Sequence, residues 1–254
     1  MQAKNTVYLK IKRQASPDSK PYWEVFSLDC GGAETLLSLL IRLGESPGDG
    51  RTPVYHEHNC KEEMCGTCAI RVNGKPRMSC STRVADLPAS SQQRPVILEP
   101  LLKFPVVRDL TVDRSRMFRG LARVGNWVET DGLFGPPVNY GPDKQLEMYS
   151  YSKCINCGVC YDACPRTGKA EDLYMGPSAV ARAVTMNDHP LGTDGREKRL
   201  ESIMKSDGVP KCGKALVCEK VCPKKVPLVR SITRANREII KKSLHIPGIK
   251  RSVE

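Results

Sequence analysis

The stretch KCINCGVCYDACP, residues 153–165, decides how this chain folds. Its four cysteines are separated by two, two and three residues, and a proline follows the last of them: Cys154, Cys157, Cys160, Cys164 and Pro165. This spacing is typical of a loop whose first three thiolates hold one [4Fe-4S] cluster, while the fourth thiolate binds a second cluster. A partner motif must therefore lie elsewhere in the chain.

The partner motif lies 58 residues downstream, where three of the four cysteines and the proline recur: Cys212, Cys218, Cys222 and Pro223. The position equivalent to Cys157 is Ala215. The two motifs are therefore an internal repeat in which the second copy lacks one ligand.

The exchange of fourth ligands between the two motifs divides the cysteines into two sets. The complete [4Fe-4S] set consists of Cys154, Cys157, Cys160 and Cys222. The other set has three thiolates, because Ala215 stands where a fourth would be: Cys164, Cys212 and Cys218. We expect a [3Fe-4S] centre there, and a [4Fe-4S] centre capped by water or hydroxide is the alternative.

A third motif precedes both, in the sequence CKEEMCGTC at residues 60–68. Its cysteines have the plant-type [2Fe-2S] spacing, and a fourth follows after eleven residues: Cys60, Cys65, Cys68 and Cys80. Gly66 suits such a loop because a residue without Cβ lets the backbone approach the inorganic sulfides. The alternative is zinc, whose cysteine ligands more often come as two short pairs.

The pattern around the motifs predicts an α+β chain. Apolar residues alternate in two segments near residues 7–11 and 22–25, leucines recur at helical spacing over 36–43, and Asn73-Gly74 marks a tight turn. This order predicts a β-grasp ferredoxin domain over 1–104 with a last strand near 95–98. From Val106 onward we expect a mainly α dicluster domain over 105–254, with helices near 177–186, 197–204 and 228–242 and a loop over 131–143.

The sequence predicts that the chain is neither a membrane-spanning protein nor an exported one. The 254 residues are 40% hydrophobic and 27% charged, no apolar run approaches the ~20 residues of a membrane span, and no export signal opens the chain. Thiols outside an export route bind metal rather than form disulfides, and Cys30, apart from every motif, is expected to be a buried apolar residue. The formal charge of +12 is concentrated in the last fifty residues, with 13 basic and 4 acidic side chains, but no nucleic-acid motif accompanies it.

Taken together, the motifs resemble the iron-sulfur subunit of succinate dehydrogenase and quinol:fumarate reductase, almost from end to end. The segments that carry the resemblance are CKEEMCGTC, NGKPRMSC, VRDLTVDRSRMF, SKCINCGVCYDACP, YMGPSAV and VCEKVCPKKVP. Glu63 and the C-G-x4-C start of the last motif are similar to the Bacillus-like branch of the family.

The resemblance implies a partner for each end of an electron path. A separate FAD-containing subunit would carry the dicarboxylate chemistry, so this chain would have no catalytic residue of its own. A membrane anchor with two haems b would take the electrons and pass them to menaquinone, with this chain peripheral on the cytoplasmic face of the membrane. Residues 166–168 and Gly213, which replace the Trp pair and the His of ubiquinone-using members, favour electron exit to haem. A soluble multi-cluster carrier is the competing hypothesis.

Overall fold

The computed structural model describes residues 5–128, 141–170, 173–192 and 194–244, and these form two compact units. The first unit comprises the described residues of Met1–Ser115, Ile155–Ala163 and Val221–Lys224. The second comprises those of Arg116–Cys154, Cys164–Lys220 and Lys225–Glu254. Two short segments that carry predicted cluster ligands thus belong to the first unit, and the boundary at residue 104 stays a prediction.

The first unit is built on a mixed five-stranded sheet in the order β2-β1-β5-β3-β4. The strands β1 and β2 pair antiparallel along their whole length, β5 runs parallel to β1, and β3 runs antiparallel to both β4 and β5. The strand bounds are β1 (Asn5–Arg13), β2 (Tyr22–Cys30), β3 (Ala69–Val72), β4 (Lys75–Met78) and β5 (Val96–Glu99). Asn73 and Gly74 turn β3 into β4 with φ of 47° and 76°, as the sequence predicts.

One helix, α1 (Leu36–Glu45), covers this sheet. It begins at Thr35, whose hydroxyl accepts the N–H of Ser38 at 3.3 Å and so satisfies one free donor of the first turn. Four of its leucines enter the same buried cluster as the inward residues of β1 and β5, as does Cys30 at 5% exposure. The predicted β-grasp domain and the buried position of Cys30 are confirmed.

The prediction of a helical pattern from Val106 onward is wrong for residues 106–112 and correct for Ser115–Arg123, which is a helix that buries Met117 and Leu121. The chain first forms a two-stranded sheet from β6 (Val106–Arg108) and β7 (Thr111–Val112). The turn between them is fixed by Asp109, with φ of 45°, whose buried carboxylate accepts the N–H groups of Gln14 and Tyr55 and pairs with Arg13. These long-range contacts outweigh the helical spacing of the apolar residues.

The remaining helices follow along the chain, and short 3-10 turns connect several of them. They are α2 (Ser115–Arg123), α3 (Pro142–Ser152), α4 (Val159–Ala163), α5 (Pro177–Asp188), α6 (Arg196–Met204), α7 (Val217–Lys220) and α8 (Leu228–Ser243). The three helices predicted near 177, 197 and 228 are confirmed. Most of the predicted loop over 131–143 lies outside the described residues.

The second unit is helical and packs around α5, which contacts α3, α6 and α8. All but one of the first nine residues of α5 are buried, because small side chains such as Ala179 and Ala183 let the neighbouring helices approach. The buried guanidinium of Arg199 ties this unit together by donating to the carbonyls of Gly125 and Gly192. Within the described ranges, no helix is both long enough and apolar enough to cross a membrane.

Candidate metal centres

The four cysteines of the [2Fe-2S]-type motif, which begins at Cys60, lie together at one end of the β-grasp sheet. Cys60 and Cys65 interact through their side chains, Cys68 and Cys80 do the same, and Cys60 acts electrostatically on Cys80. Cys68 directly precedes β3, while Cys80 follows two residues after β4, so the hairpin delivers these two thiols side by side. The loop over 60–67 supplies the other two.

Backbone conformation makes this loop a cradle for sulfur. Lys61, Glu63 and Gly66 have φ of 61°, 58° and 78°, which curls the chain tightly. The N–H groups of Met64 and Cys65 each donate to the Sγ of Cys60 at 3.2 Å, and the N–H of Glu63 donates to the Sγ of Cys80 at 3.3 Å. Such N–H···S contacts stabilise ligating thiolates in iron-sulfur proteins.

The pKa values of two thiols in this set, Cys80 and Cys65, are shifted in opposite directions. Burial raises the pKa of Cys80 to about 12, and its hydrogen bond with Cys68 adds to the shift. Burial by itself would raise the pKa of Cys65, but hydrogen bonds with Thr67 and Cys60 outweigh it and lower the pKa to about 6. A bound metal ion deprotonates a ligating thiol outright, so the set can supply four thiolates to iron.

The first copy of the repeat contributes Cys157 and Cys160 to the first unit. The second copy contributes Cys222 to the same unit, from the segment Val221–Lys224. The segment around Cys157 is fixed there by Asp162 on α4, whose carboxylate lies 2.8 Å from Arg71 Nη1 on β3 and accepts the N–H of Lys103 at 3.0 Å. Cys154 belongs to the second unit, where it lines a small cavity with Tyr151 and Ser178. The [4Fe-4S] assignment of these four cysteines stays a prediction from their spacing.

The third set converges in the second unit. Cys164, Cys212 and Cys218 line one cavity together with Ala215 and Tyr174. Burial raises the pKa of Cys218 to about 11, and the nearby thiols of Cys164 and Cys212 add to that shift. Ala215 therefore lines the same cavity as the three thiols, and the assignment of these thiols to one centre stays a prediction. The loop over 213–216 is exposed to solvent.

The internal repeat extends to the backbone. In the first copy Asn156 and Gly158 have φ of 51° and 82°, and 58 residues later Lys214 and Leu216 have φ of 53° and 58°. Side chains rarely tolerate this conformation, so two non-glycine residues in it point to a shared requirement of the loop. In the sequence, Gly158 is a signal for left-handed backbone in the first copy. The 58-residue offset of the repeat would then have predicted the same conformation at Leu216.

The chemistry of the donors fits iron-sulfur clusters. Each set includes thiols within two residues of left-handed backbone, and hydrogen bonds of the loop over 60–65 end on sulfur. Across the described part of the chain, no group of three or more His, Cys, Asp or Glu side chains is arranged to hold a single metal ion. In a cluster, by contrast, the ligands bind different irons around a shared inorganic core.

Sequence reasoning missed Arg114, which does not ligate but touches the first loop. Its guanidinium donates to the carbonyl oxygens of Gly66 at 2.8 Å and Thr67 at 2.5 Å, and it pairs with Glu57 at 3.1 Å. Arg114 is separated from the loop by more than forty residues, so nothing in the local pattern could have revealed this contact.

Some of the basic residues in the C-terminal helix α8 are paired with acidic side chains of the same unit. Arg234 on α8 pairs with Glu147 and Asp188 at 3.0 and 2.5 Å, and only 18% of its side chain is exposed. Arg230 also reaches Glu147, at 3.1 Å, but its side chain is 66% exposed. Part of the positive charge therefore holds the second unit together.

Two family models match the chain. Residues 8–119 match a model described as a 2Fe-2S iron-sulfur cluster binding domain, and residues 153–227 match a 4Fe-4S dicluster domain. The two matches cover the β-grasp region and both copies of the repeat.

Curated relatives are similar over nearly the whole chain. The succinate dehydrogenase iron-sulfur subunit of Bacillus subtilis is 38% identical over 244 residues, covering 94% of each chain. The fumarate reductase iron-sulfur subunit of Haemophilus influenzae is 33% identical over 224 residues, covering 80% of this chain and 82% of the relative. Among solved structures, a chain of the Mycobacterium smegmatis Sdh1 complex in the apo form superposes with a TM-score of 0.82 at 23% identity, over 97% of this chain and 100% of that one. That likeness concerns the fold.

Proposed function

We propose, because the chain belongs to the family of iron-sulfur subunits of succinate dehydrogenase and fumarate reductase, that it conducts electrons between the flavin and the membrane side of such an enzyme. It is a subunit of an oxidoreductase of the EC 1.3.5 type. Membership of the family implies a flavoprotein partner and a membrane-anchor partner, and these iron-sulfur subunits are peripheral membrane proteins.

Three centres account for eleven of the twelve cysteines. When bound, the three clusters would act as one-electron carriers. The residues of this chain would hold them and set their reduction potentials. The [2Fe-2S] ligands are Cys60, Cys65, Cys68 and Cys80; the [4Fe-4S] ligands are Cys154, Cys157, Cys160 and Cys222; the [3Fe-4S] ligands are Cys164, Cys212 and Cys218.

The observation that carries this assignment is the position of Ala215 beside three cysteines. A thiolate is missing at the position where the first copy of the repeat has Cys157, and a centre with one iron fewer needs no ligand there. The effect of Cys164 and Cys212 on the pKa of Cys218 supports a shared centre.

We further propose an anchor with two haems b, menaquinone as the quinone reached through it, and a position on the cytoplasmic face of the membrane. The similarity to the Bacillus subtilis subunit supports this assignment, and so does the absence of a Trp pair at residues 166–168. The exposed basic residues of α8, such as Arg230 and Arg237, suit a surface facing the anchor or anionic lipid, where each nearby charge contributes about 1 kcal/mol.

The replacement Ala215→Cys tests the assignment. It should supply the missing thiolate, convert the three-iron centre to [4Fe-4S] and lower its reduction potential, since cluster type and net charge set the potential. In oxidised complex, electron paramagnetic resonance should show the [3Fe-4S] signal for the wild type and lose it for this variant. Val217→Cys adds a thiol two residues away, at a position equivalent to Val159 in the repeat, and should keep the signal.

Metal analysis gives a second measurement. We expect about nine iron atoms and no stoichiometric zinc per chain, the sum of the three centres. A complex with zinc in place of iron, or a wild type without the [3Fe-4S] signal, would overturn the assignment. Purification from membranes together with a haem-containing anchor would support the partner proposal, and a fully soluble complex would contradict it.

A further inference from the structure

The loop over 60–68 meets the segment around Cys157 at Gly66. A Cβ on Gly66 would lie 3.1 Å from the Cα and 3.2 Å from the Cβ of Cys157, and it would overlap the carbonyl oxygen of Ile155. Gly66 is buried and has φ of 78°. The backbone of Gly66 therefore packs closely against Ile155 and Cys157, and this packing, rather than an approach to inorganic sulfide alone, requires glycine.

The position of this contact matters because Gly66 directly follows Cys65. A covalent path leads from the Sγ of Cys65 through its own backbone to the Cα of Gly66, and a single van der Waals contact then reaches Cys157. Electron tunnelling decays steeply with path length and is weaker across a gap than along bonds. This contact is therefore a short connection between a [2Fe-2S] ligand and a [4Fe-4S] ligand.

Arg114 fixes the loop side of the contact. Its two terminal nitrogens donate to the carbonyl oxygens of Gly66 and Thr67, its side chain is only 10% exposed, and Glu57 orients it from outside. A planar guanidinium can hold two adjacent carbonyls at once, whereas an ammonium group cannot reproduce that fork. The peptide after Gly66 is thus held from one side by Arg114 while Gly66 meets Cys157.

The facing side is fixed independently. A Cβ on Gly158 would lie 3.1 Å from the ring of Phe104, and the rings of Phe104 and Tyr161 are 4.9 Å apart. Asp162 binds Arg71 and the backbone of Lys103 in the same short segment. With both sides held, the gap between Gly66 and Cys157 has little freedom to vary.

We infer that Gly66 and Arg114 are positioning residues that set the electronic coupling between the [2Fe-2S] and [4Fe-4S] centres by holding the first cluster loop against Cys157. The inference rests on the proposed ligand sets. The step it governs moves one electron: the reduced [2Fe-2S] centre is oxidised, the oxidised [4Fe-4S] centre is reduced, and no bond or proton changes. In the direction of succinate oxidation, the electron comes from succinate through the flavoprotein.

The test uses the intact complex with two variants and matched controls. Gly66→Ala adds the Cβ that meets Ile155 and Cys157, and Gly74→Ala is its control, because Gly74 has nearly the same φ of 76° but nothing within 4 Å of an added Cβ. Arg114→Lys keeps the charge but loses the fork, and Arg83→Lys, at an exposed site paired with Asp86, is its control.

Three measurements separate the possible causes. Iron content and the resonance signal of each centre report on assembly, and so on the proposed function. Microwave power saturation of the [2Fe-2S] signal, with both centres reduced, reports on their separation. The rate of reoxidation of the [2Fe-2S] centre after pulsed reduction reports on the coupling.

We expect Gly66→Ala to retain all three signals but to show a severalfold slower transfer and easier saturation of the [2Fe-2S] signal. Arg114→Lys should change both in the same direction and by less, while both controls match the wild type. Wild-type rate and saturation in a fully assembled Gly66→Ala complex would overturn the inference. If that variant fails to assemble, Arg114→Lys decides alone, and an unchanged rate there overturns it. Absence of the signals from the wild type would instead refute the proposed function.

Discussion

Replacing Asp162 by asparagine should loosen the segment that holds Cys157 and Cys160. The Asp162 carboxylate is fully buried, accepts the N–H of Lys103 at 3.0 Å and pairs with Arg71 at 2.8 Å. The amide of the introduced asparagine would still offer an oxygen to Lys103 but would leave the guanidinium without its opposite charge. The free energy of unfolding of the first unit should therefore fall.

The size of this loss follows from the burial of the two partners. Removing one partner of a buried ion pair costs about 3–5 kcal/mol, because the other charge is left without compensation. Arg71 keeps 18% of its side chain exposed and also donates to the carbonyl of Gly74, so the loss should lie near the lower end, about 3 kcal/mol. For a chain of this size that corresponds to a fall of about 6–12 °C in the thermal midpoint.

The measurement is the thermal unfolding midpoint of the assembled complex at one scan rate, together with the temperature at which the [4Fe-4S] absorbance is lost. Asp86→Asn is the matched control, since its pair with Arg83 is 55–65% exposed and is screened by solvent. The double variant Asp162→Asn with Arg71→Leu should recover part of the loss, because no isolated charge remains. If Asp162→Asn shifts the midpoint no more than Asp86→Asn does, the role assigned to this pair is wrong.

Two further predictions concern the first cluster loop and its approach. Thr67 Oγ1 lies 3.2 Å from the Sγ of Cys65, so Thr67→Val should remove a hydrogen bond to a ligand sulfur and lower the [2Fe-2S] potential in a redox titration, whereas Thr67→Ser should restore it. Burial lowers the pKa of His56, and the stacked His58 lowers it further, although the Val54 carbonyl opposes the shift. The stability that His56 contributes is therefore present above its unfolded pKa of about 6.5 and lost as pH falls. Between about pH 7.5 and 5, the wild type should lose more thermal stability than His56→Gln, and equal losses would contradict this.

Local pattern predicted most of the regular structure because apolar spacing is a local property. The helices α5 and α8 and the Asn73-Gly74 hairpin follow directly from it. The segment after Val106 could not be predicted in this way. Its turn depends on Asp109 meeting Arg13 and two backbone donors from elsewhere in the chain, and such contacts have no signature in a sequence window.

The same limit applies to the candidate centres. Cysteine spacing predicted which thiols belong together, because ligand geometry is imposed by the cluster and repeats from protein to protein. It could not predict what holds the loops in place. The contacts of Gly66 with Cys157 and of Asp162 with Arg71 join residues about ninety positions apart, and they follow from the fold rather than from the motif.

The two copies of the repeat show how backbone and side chain diverge under different constraints. Both copies keep a pair of left-handed residues at the same register, so the loop conformation itself is retained. In the first copy the second member is Gly158, where an added Cβ would come within 3.1 Å of the ring of Phe104, and in the second copy it is Leu216, which is 49% exposed. Glycine therefore marks packing in one copy, while the left-handed turn persists without it in the other. Leu216 keeps the left-handed conformation next to Ala215, although leucine disfavours it. We therefore explain the conformation by the need to bring Cys212 and Cys218 to one centre, and not by the backbone preference of the residues between them.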